Sequence, residues 1–202
     1  MFIIGVAGGS GSGKTTVVRK IVKQLPTDSI STISLDSYYK DNSHLTAQEK
    51  LNVNFDHPDS FEWSLLIEHV KQLRNGKAIE MPTYSYITSS RLTETVTVLP
   101  SDIIIIEGIM VFTNPKLVDL IDLKIFVDAE SDDRLARIIG RDTLERGRSV
   151  EQVIEHYYKW VKPMHLQFIE PCKRLADIIV PQGGENDNAI DLIVSGILMK
   201  LQ

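Results

Sequence analysis

Cysteine is almost missing: Cys172 is the only one in 202 residues. That excludes an internal disulfide and any zinc site built on cysteines. Long apolar runs are missing too, so no segment is expected to span a membrane as a helix. A basic-then-apolar leader is absent, because the first apolar run, "MFII", already reads as a strand from residue 2. These absences together set the expectation of a cytoplasmic protein. Nor is there an excess of basic charge: the formal net charge of −5 argues against bulk nucleic-acid binding. Internal repeats and low-complexity segments are lacking. At this length one domain is expected, with at most a small insertion.

Against that plain background one stretch stands out, "GVAGGSGSGKTT" at 5–16. The spacing G-x-x-x-x-G-K-[ST] falls on Gly8, Gly13, Lys14 and Thr15. Phe2 to Ala7 reads as a buried strand. Thr16 to Leu25 reads as a helix, with Val17, Val18, Ile21, Val22 and Leu25 on one face and Pro26 ending it. The loop therefore joins a strand to a helix N-terminus, where inward-pointing N–H groups and the helix dipole favour an anion. Gly8, Gly9, Ser10, Gly11, Ser12, Gly13, Lys14, Thr15 and Thr16 are the candidates to hold a nucleotide's phosphates. Lys14 can reach the β- and γ-phosphates, and the Thr15 hydroxyl is a candidate Mg²⁺ ligand.

Strands and helices alternate along the rest of the chain, which predicts an α/β fold with a mostly parallel sheet flanked by helices. Strands are expected at 30–35, 102–108, 123–128 and 176–181. Helices are expected at Asp59 to Gly76, with Asp59 and Glu62 as a capping-box-like pair, at about 131–142, 149–161 and 164–174, and from about Asn188. "MPTYSY" (81–86) and "ETVTVL" (94–99) alternate polar and apolar residues. They read as an antiparallel hairpin inserted on the sheet's edge. Ligands bind at the carboxyl ends of such strands. That directs attention to the phosphate loop, Asp36, Glu107, Asp128 and "PQGG".

Three classes of protein use such a loop. A GTPase switch would carry N-K-x-D, which is absent, and D-x-x-G after the central strand, where Glu107-Gly108 stands. A mechanical ATPase or nucleotide-gated module would want partner surfaces or a second domain, and the chain has no room for one. A small-molecule kinase needs a base, an acceptor pocket and a cationic lid. "RLARIIGRDTLERGRS" (134–149) supplies arginines around a hinge-like Gly147. Arg141, Arg146 and Arg148 are read as phosphate-charge stabilisers. Arg134 and Arg137 are expected on a solvated face, Arg137 pairing with Asp133. Asp36, at a strand end beside the loop, is read as the general base.

These residues converge on one resemblance. The chain resembles the uridine kinase (uridine–cytidine kinase) family over nearly its full length, through "GGSGSGKTT", "LDSYYKD", "NFDHPDSF", "PTYSY..SSR", "IIIIEGI", "RD..ERGRS", "KPMHLQFIEPCK" and "ADIIVPQGG.N". "NFDHPDSF" followed by "RD..ERGRS" is the most specific part. The resemblance implies a single P-loop kinase domain over 1–202, with the hairpin insertion at about 80–100 and an Arg-rich lid at about 138–150. It implies ATP- or GTP-dependent phosphorylation of the 5′-hydroxyl of uridine or cytidine, with Mg²⁺, by a homotetramer. Asp36 would be the base, Lys14 and Arg141 would join it in catalysis, and Thr15 with Glu107 would hold the metal. Arg146, Arg148, Gly183 and Asn186 would bind the nucleotide. Asp56 would take the ribose hydroxyls, and Tyr39, Phe55, Tyr84, Tyr86 and Ile109 would form the base and sugar pocket. A carboxylate suits a diol and aromatic walls suit a planar pyrimidine.

The chain also departs from the family. Ser89 stands where a histidine reads the base edge, Ile138 replaces the second of paired arginines, His156 replaces a ribose-contacting glutamine, and Gln182 replaces an arginine near the adenine. Three of these four positions line the acceptor side. A different small hydroxylated acceptor, as in phosphoribulokinase-like relatives, is therefore the alternative, but Asp36, Tyr39, Asp56 and Tyr84 favour a ribosyl one.

Overall fold

The computed structural model describes residues 1–25, 30–50 and 52–201. Five strands form one parallel sheet: β1 (Phe2–Ala7), β2 (Ile30–Ser34), β5 (Ile103–Glu107), β6 (Leu123–Val127) and β7 (Ile178–Val180), in the order β2-β5-β1-β6-β7. Successive residues of a strand point to opposite faces, and here both faces are covered. Ile3, Ile104, Ile106 and Phe126 pack on one side with Leu66, Val70 and Leu73 of α2 (Trp63–Arg74). Ile4, Val6, Ile103, Ile105 and Val127 pack on the other. That layer is closed by Val17, Val18 and Ile21 of α1 (Lys14–Gln24) and by Ile190, Ile193, Val194 and Ile197 of α5 (Asp187–Leu201). Two covered faces explain why "IIII" reads as an unbroken apolar run. Between these elements lie α3 (Ser131–Glu145) and α4 (Val150–His156). Pro26, expected to end the first helix, lies outside the described residues. Among those described, no helix is long and apolar enough to cross a membrane.

Register sets the site. Glu107 of β5 is level with Val6 of β1 on one side and Ser34 of β2 on the other. The chain leaving β1 becomes the phosphate loop, and the chain leaving β2 reaches Asp36 two residues later. Both therefore emerge beside Glu107.

Two expectations need correcting. The hairpin of β3 (Ile79–Ser85) and β4 (Ser90–Val98) is not a continuation of the main sheet's edge; it forms a two-stranded sheet of its own. Pro82 has no N–H to give a ladder, and the pairing slips between Pro82 and Tyr84. The second helix begins at Trp63 rather than Asp59, and Glu62 makes no side-chain cap. Phe61 is drawn into an isolated antiparallel bridge with Tyr39 and buried at 1 % exposure, which holds that segment extended. Before it, Asp59 N donates to His57 Nδ1 (3.1 Å), capping a short turn.

Candidate active site

The phosphate loop ends at Gly13, which caps α1 in the left-handed region (φ 93°) and places Lys14 and Thr15 in the first helical turn. Lys14 Nζ donates to Gly9 O at 2.9 Å, folding back across the loop. Burial pushes its ammonium down to about 8, against the pull of Glu107 and Asp36, while Arg141 and Arg134 push the same way as burial. Ser10, Gly11, Gly13, Lys14, Thr15 and Thr16 face a cleft of about 340 Å³. Gly8, Gly9 and Ser12 do not line it. Neither do Gly183 and Asn186. Gly183 (φ 62°) packs directly behind the loop, where an added Cβ would overlap the Ser12 carbonyl oxygen. Asn186 is committed to α5: its Oδ1 accepts from Ala189 N (3.1 Å) and its Nδ2 donates to Pro181 O (3.3 Å).

On the cleft floor Thr15 Oγ1 donates to Glu107 at 3.0 and 3.2 Å. Burial raises the Glu107 pKa, with Lys14 and the Thr15 hydroxyl opposing it. Carboxylate and hydroxyl are hard oxygen donors, the ligand type Mg²⁺ takes alongside phosphate and water. Among the described residues no cluster of three or more His, Cys, Asp or Glu could hold a metal alone. Asp36 faces the same floor, and the Tyr86 hydroxyl donates to its Oδ2 at 2.6 Å. Burial, and then the Asp36 charge, drive the Tyr86 phenol far up, so it stays a protonated donor.

The arginines expected to form a lid are gathered by a residue that the sequence did not single out. Asp142, 2 % exposed, takes Arg141 through Nε and Nη2 (2.8 Å each), Arg148 Nη1 (3.3 Å) and Arg146 Nη1 (3.4 Å). Three guanidinium groups thus stand together on one buried carboxylate, with Gly147 (φ 66°) turning the chain between the last two. The Arg146 guanidinium also lies 4.2 Å from the centre of the Tyr86 ring. Contacts therefore run from Asp142 through Arg146 and Tyr86 to Asp36.

At the other end of the cleft Tyr39 stacks on Phe61 (4.5 Å between centroids) and packs against Tyr84 (4.9 Å) and Phe55 (5.5 Å). Asp56 is buried and pairs with His156 Nε2 at 3.5 Å. An imidazole N–H is a donor that suits a carboxylate. Ile138, by contrast, packs with Val153, Tyr157 and Val161 to hold α3 on the helical segment that starts at α4. Ser89 lines the cleft with a left-handed backbone (φ 50°), and Ile109 lines it too.

The geometry thus brings Lys14, Thr15, Asp36, Glu107, Asp56, the aromatic residues and the three arginines to one cleft. Asp128 is not part of it: its carboxylate is held by Lys173. Arg134 is not on a solvated face but 5 % exposed, and Arg137 donates to Gly11 O (3.3 Å) rather than pairing with Asp133. The only advance signal for Asp142 was an acid in the middle of an arginine-rich stretch.

The sequence matches the phosphoribulokinase / uridine kinase family over residues 3–189. It is 54 % identical over 195 residues to a uridine kinase of Staphylococcus haemolyticus, covering 96 % of this chain and 94 % of the relative. It is 52 % identical over 200 residues to a uridine kinase of Macrococcus caseolyticus, covering 99 % and 97 %. In fold it is similar to phosphoribulokinase from Rhodobacter spheroides (TM-score 0.65, 19 % identity, 89 % of this chain and 69 % of that one). A D-glycerate 3-kinase from Cryptococcus neoformans is similar as well (TM-score 0.57, 18 % identity, 81 % and 77 %).

Proposed function

The chain belongs to the phosphoribulokinase / uridine kinase family, and on that premise we propose that it transfers the γ-phosphoryl group of ATP to the 5′-hydroxyl of uridine or cytidine. The observation that carries this reading is the shared cleft: a phosphate loop, a carboxylate at the end of β5 and another just beyond β2, and an aromatic pocket with a buried carboxylate.

Asp36 accepts the proton of the acceptor hydroxyl. Tyr86 occupies its Oδ2, leaving Oδ1 for that hydroxyl. The oxygen attacks the γ-phosphorus, the bond from that phosphorus to the bridging oxygen breaks, and ADP leaves. Phosphoryl transfer needs positioning and charge stabilisation more than covalent help. Lys14 supplies both from below; a phosphate beside it restores the proton that burial loosens. Arg141, Arg146 and Arg148 supply both from the lid. Thr15 and Glu107 would hold Mg²⁺, which neutralises phosphate charge when bound. Asp56, held by His156, accepts the ribose hydroxyls between Tyr39, Phe55 and Tyr84. Assembly as a homotetramer in the cytoplasm, as one kinase domain with GTP as a second donor, belongs to the same proposal and rests on family resemblance.

The test is ADP release with Mg²⁺-ATP against uridine, cytidine, deoxynucleosides, purine nucleosides and ribulose 5-phosphate. Stimulation by uridine or cytidine is expected. Asp36→Asn should lower the rate by about 10²–10⁴-fold, the usual worth of a general base, and leave ATP binding intact. Stimulation by ribulose 5-phosphate alone would move the reading to another acceptor, with Ser89, Ile138 and His156 as the marks of the change.

A further inference from the structure

Among the described residues, nothing pairs with the buried charge of Arg134. It sits in the first turns of α3 at 5 % exposure. Its Nε donates to the Ala129 carbonyl at 3.2 Å, but Nη1 is enclosed and has no hydrogen-bond partner. Among the described residues no carboxylate forms an ion pair with it. The acid just beyond β6, Asp128, is taken by Lys173, and Glu170 faces Lys173 at 3.8 Å and the His165 ring at 3.3 Å. An unpaired guanidinium in a protein interior is costly, because the lost hydration is not replaced by an opposite charge. A fold that keeps one should gain something from it.

Its position says what. Arg134 packs against the phosphate loop, on the side that does not line the cleft. A Cβ added to Gly9 would stand 2.7 Å from Nη1, and one added to Gly11 would meet the Arg134 carbonyl oxygen at 2.5 Å. The residue next to it, His165, is no counter-charge. Burial first, and then Arg134, push its imidazole down to about 4, so it is neutral, and its Nδ1 is also enclosed and unpartnered. Lys14, on the other side of the loop, registers the Arg134 charge through the loop's thickness. Gly9 meets both, its carbonyl oxygen accepting from Lys14 Nζ at 2.9 Å and its Cα facing Arg134 Nη1, and screening is weak between charges that are both buried.

We propose that the missing partner of Arg134 is the donor's polyphosphate, and that Arg134 is a positioning residue which strengthens phosphate binding from behind the Gly9–Gly11 backbone without touching the nucleotide. The inference rests on the reading that this loop holds the donor. It adds a cation outside the cleft to those that line it. It also makes a demand that a packing role does not: removing the charge should help the empty protein and harm the complex.

Arg134→Met keeps the stem and removes the charge. Two measurements decide: thermal unfolding without nucleotide, and calorimetric titration with a non-hydrolysable ATP analogue and, separately, adenosine. Arg134→Met is expected to unfold no lower than the wild type, to bind the triphosphate about tenfold more weakly, and to bind adenosine equally well. Arg134→Lys should recover most of the triphosphate affinity. A lower unfolding temperature with unchanged triphosphate affinity would overturn the proposal, and so would failure of Arg134→Met to fold. If the wild type itself bound no triphosphate, the donor-site reading would fall first, a result visible before any variant is compared.

Discussion

Replacing Asp142 by asparagine should loosen the lid and weaken donor binding together. The carboxylate holds three guanidinium groups at 2.8, 3.3 and 3.4 Å while only 3 % of its own side chain is exposed. Breaking a buried ion pair by removing one partner costs about 3–5 kcal/mol. That range is too high here, because the side chains of Arg141, Arg146 and Arg148 are 34, 19 and 32 % exposed and can turn outward to rehydrate. A discounted loss of about 1.5–3 kcal/mol follows. At this chain length it corresponds to a fall of about 4–10 °C in unfolding temperature. Without the carboxylate the three cations repel one another, so the KM for ATP should rise about tenfold or more, while the acceptor KM moves little. Differential scanning calorimetry and initial-rate kinetics check both halves. An Asp142→Asn protein with native unfolding temperature and native KM for ATP would refute the claim that this carboxylate assembles the lid. A lowered KM would show the acid to be a competitor for the arginines instead of their anchor.

Two further expectations follow from the geometry. His165 is neutral in the fold, with its pKa pushed from 6.5 to about 4 by burial and by Arg134, although the Asp128 carboxylate pulls the other way. Its contribution to stability is therefore complete above about pH 6.5 and is lost as the pH falls towards 4, where the unfolded chain binds the extra proton; the total is about 3 kcal/mol. Denaturant unfolding at pH 7 and 4.5 should show a shallower acid loss for His165→Gln, by about 2 kcal/mol, and parallel curves would exclude the role. Gly183→Ala puts a Cβ into the Ser12 carbonyl at a left-handed position. It should cost about 2 kcal/mol and displace the phosphate loop, raising the KM for ATP; an unchanged KM would mean that the loop does not lean on Gly183.

What could be read in advance followed the apolar signal. Phe2–Ala7 and the "IIII" strand were legible because both faces of each are buried, and the order strand, glycine loop, helix fixed the phosphate site. Where polar residues are used inside, the signal inverts. Arg134, Ile138 and Asp142 are the buried residues of α3, spaced four apart on one face, yet two of the three carry charge. A periodicity argument sends such residues to solvent. They are inside because one backs the phosphate loop and the other gathers arginines, both long-range facts. The late start of α2 has the same origin: Phe61 was spent on a bridge to Tyr39, 22 positions earlier in the chain. Glu107 and Asp36 were found because strand ends in a parallel sheet are a general address for ligands. The acceptor walls proposed for Phe55 and Tyr84 rest on family resemblance, since nothing local distinguishes either from a core aromatic.

If Arg146 and Asp36 hold the roles proposed for them, the contact chain from Asp142 through Arg146 and Tyr86 to Asp36 ties the two substrates thermodynamically. Arg146 cannot turn to a donor phosphate without altering what lies over the Tyr86 ring, and the Tyr86 hydroxyl cannot shift without altering the carboxylate that the acceptor meets. Binding free energies are reciprocal. Whatever factor the donor imposes on acceptor affinity through these side chains, the acceptor must return to the donor undiminished.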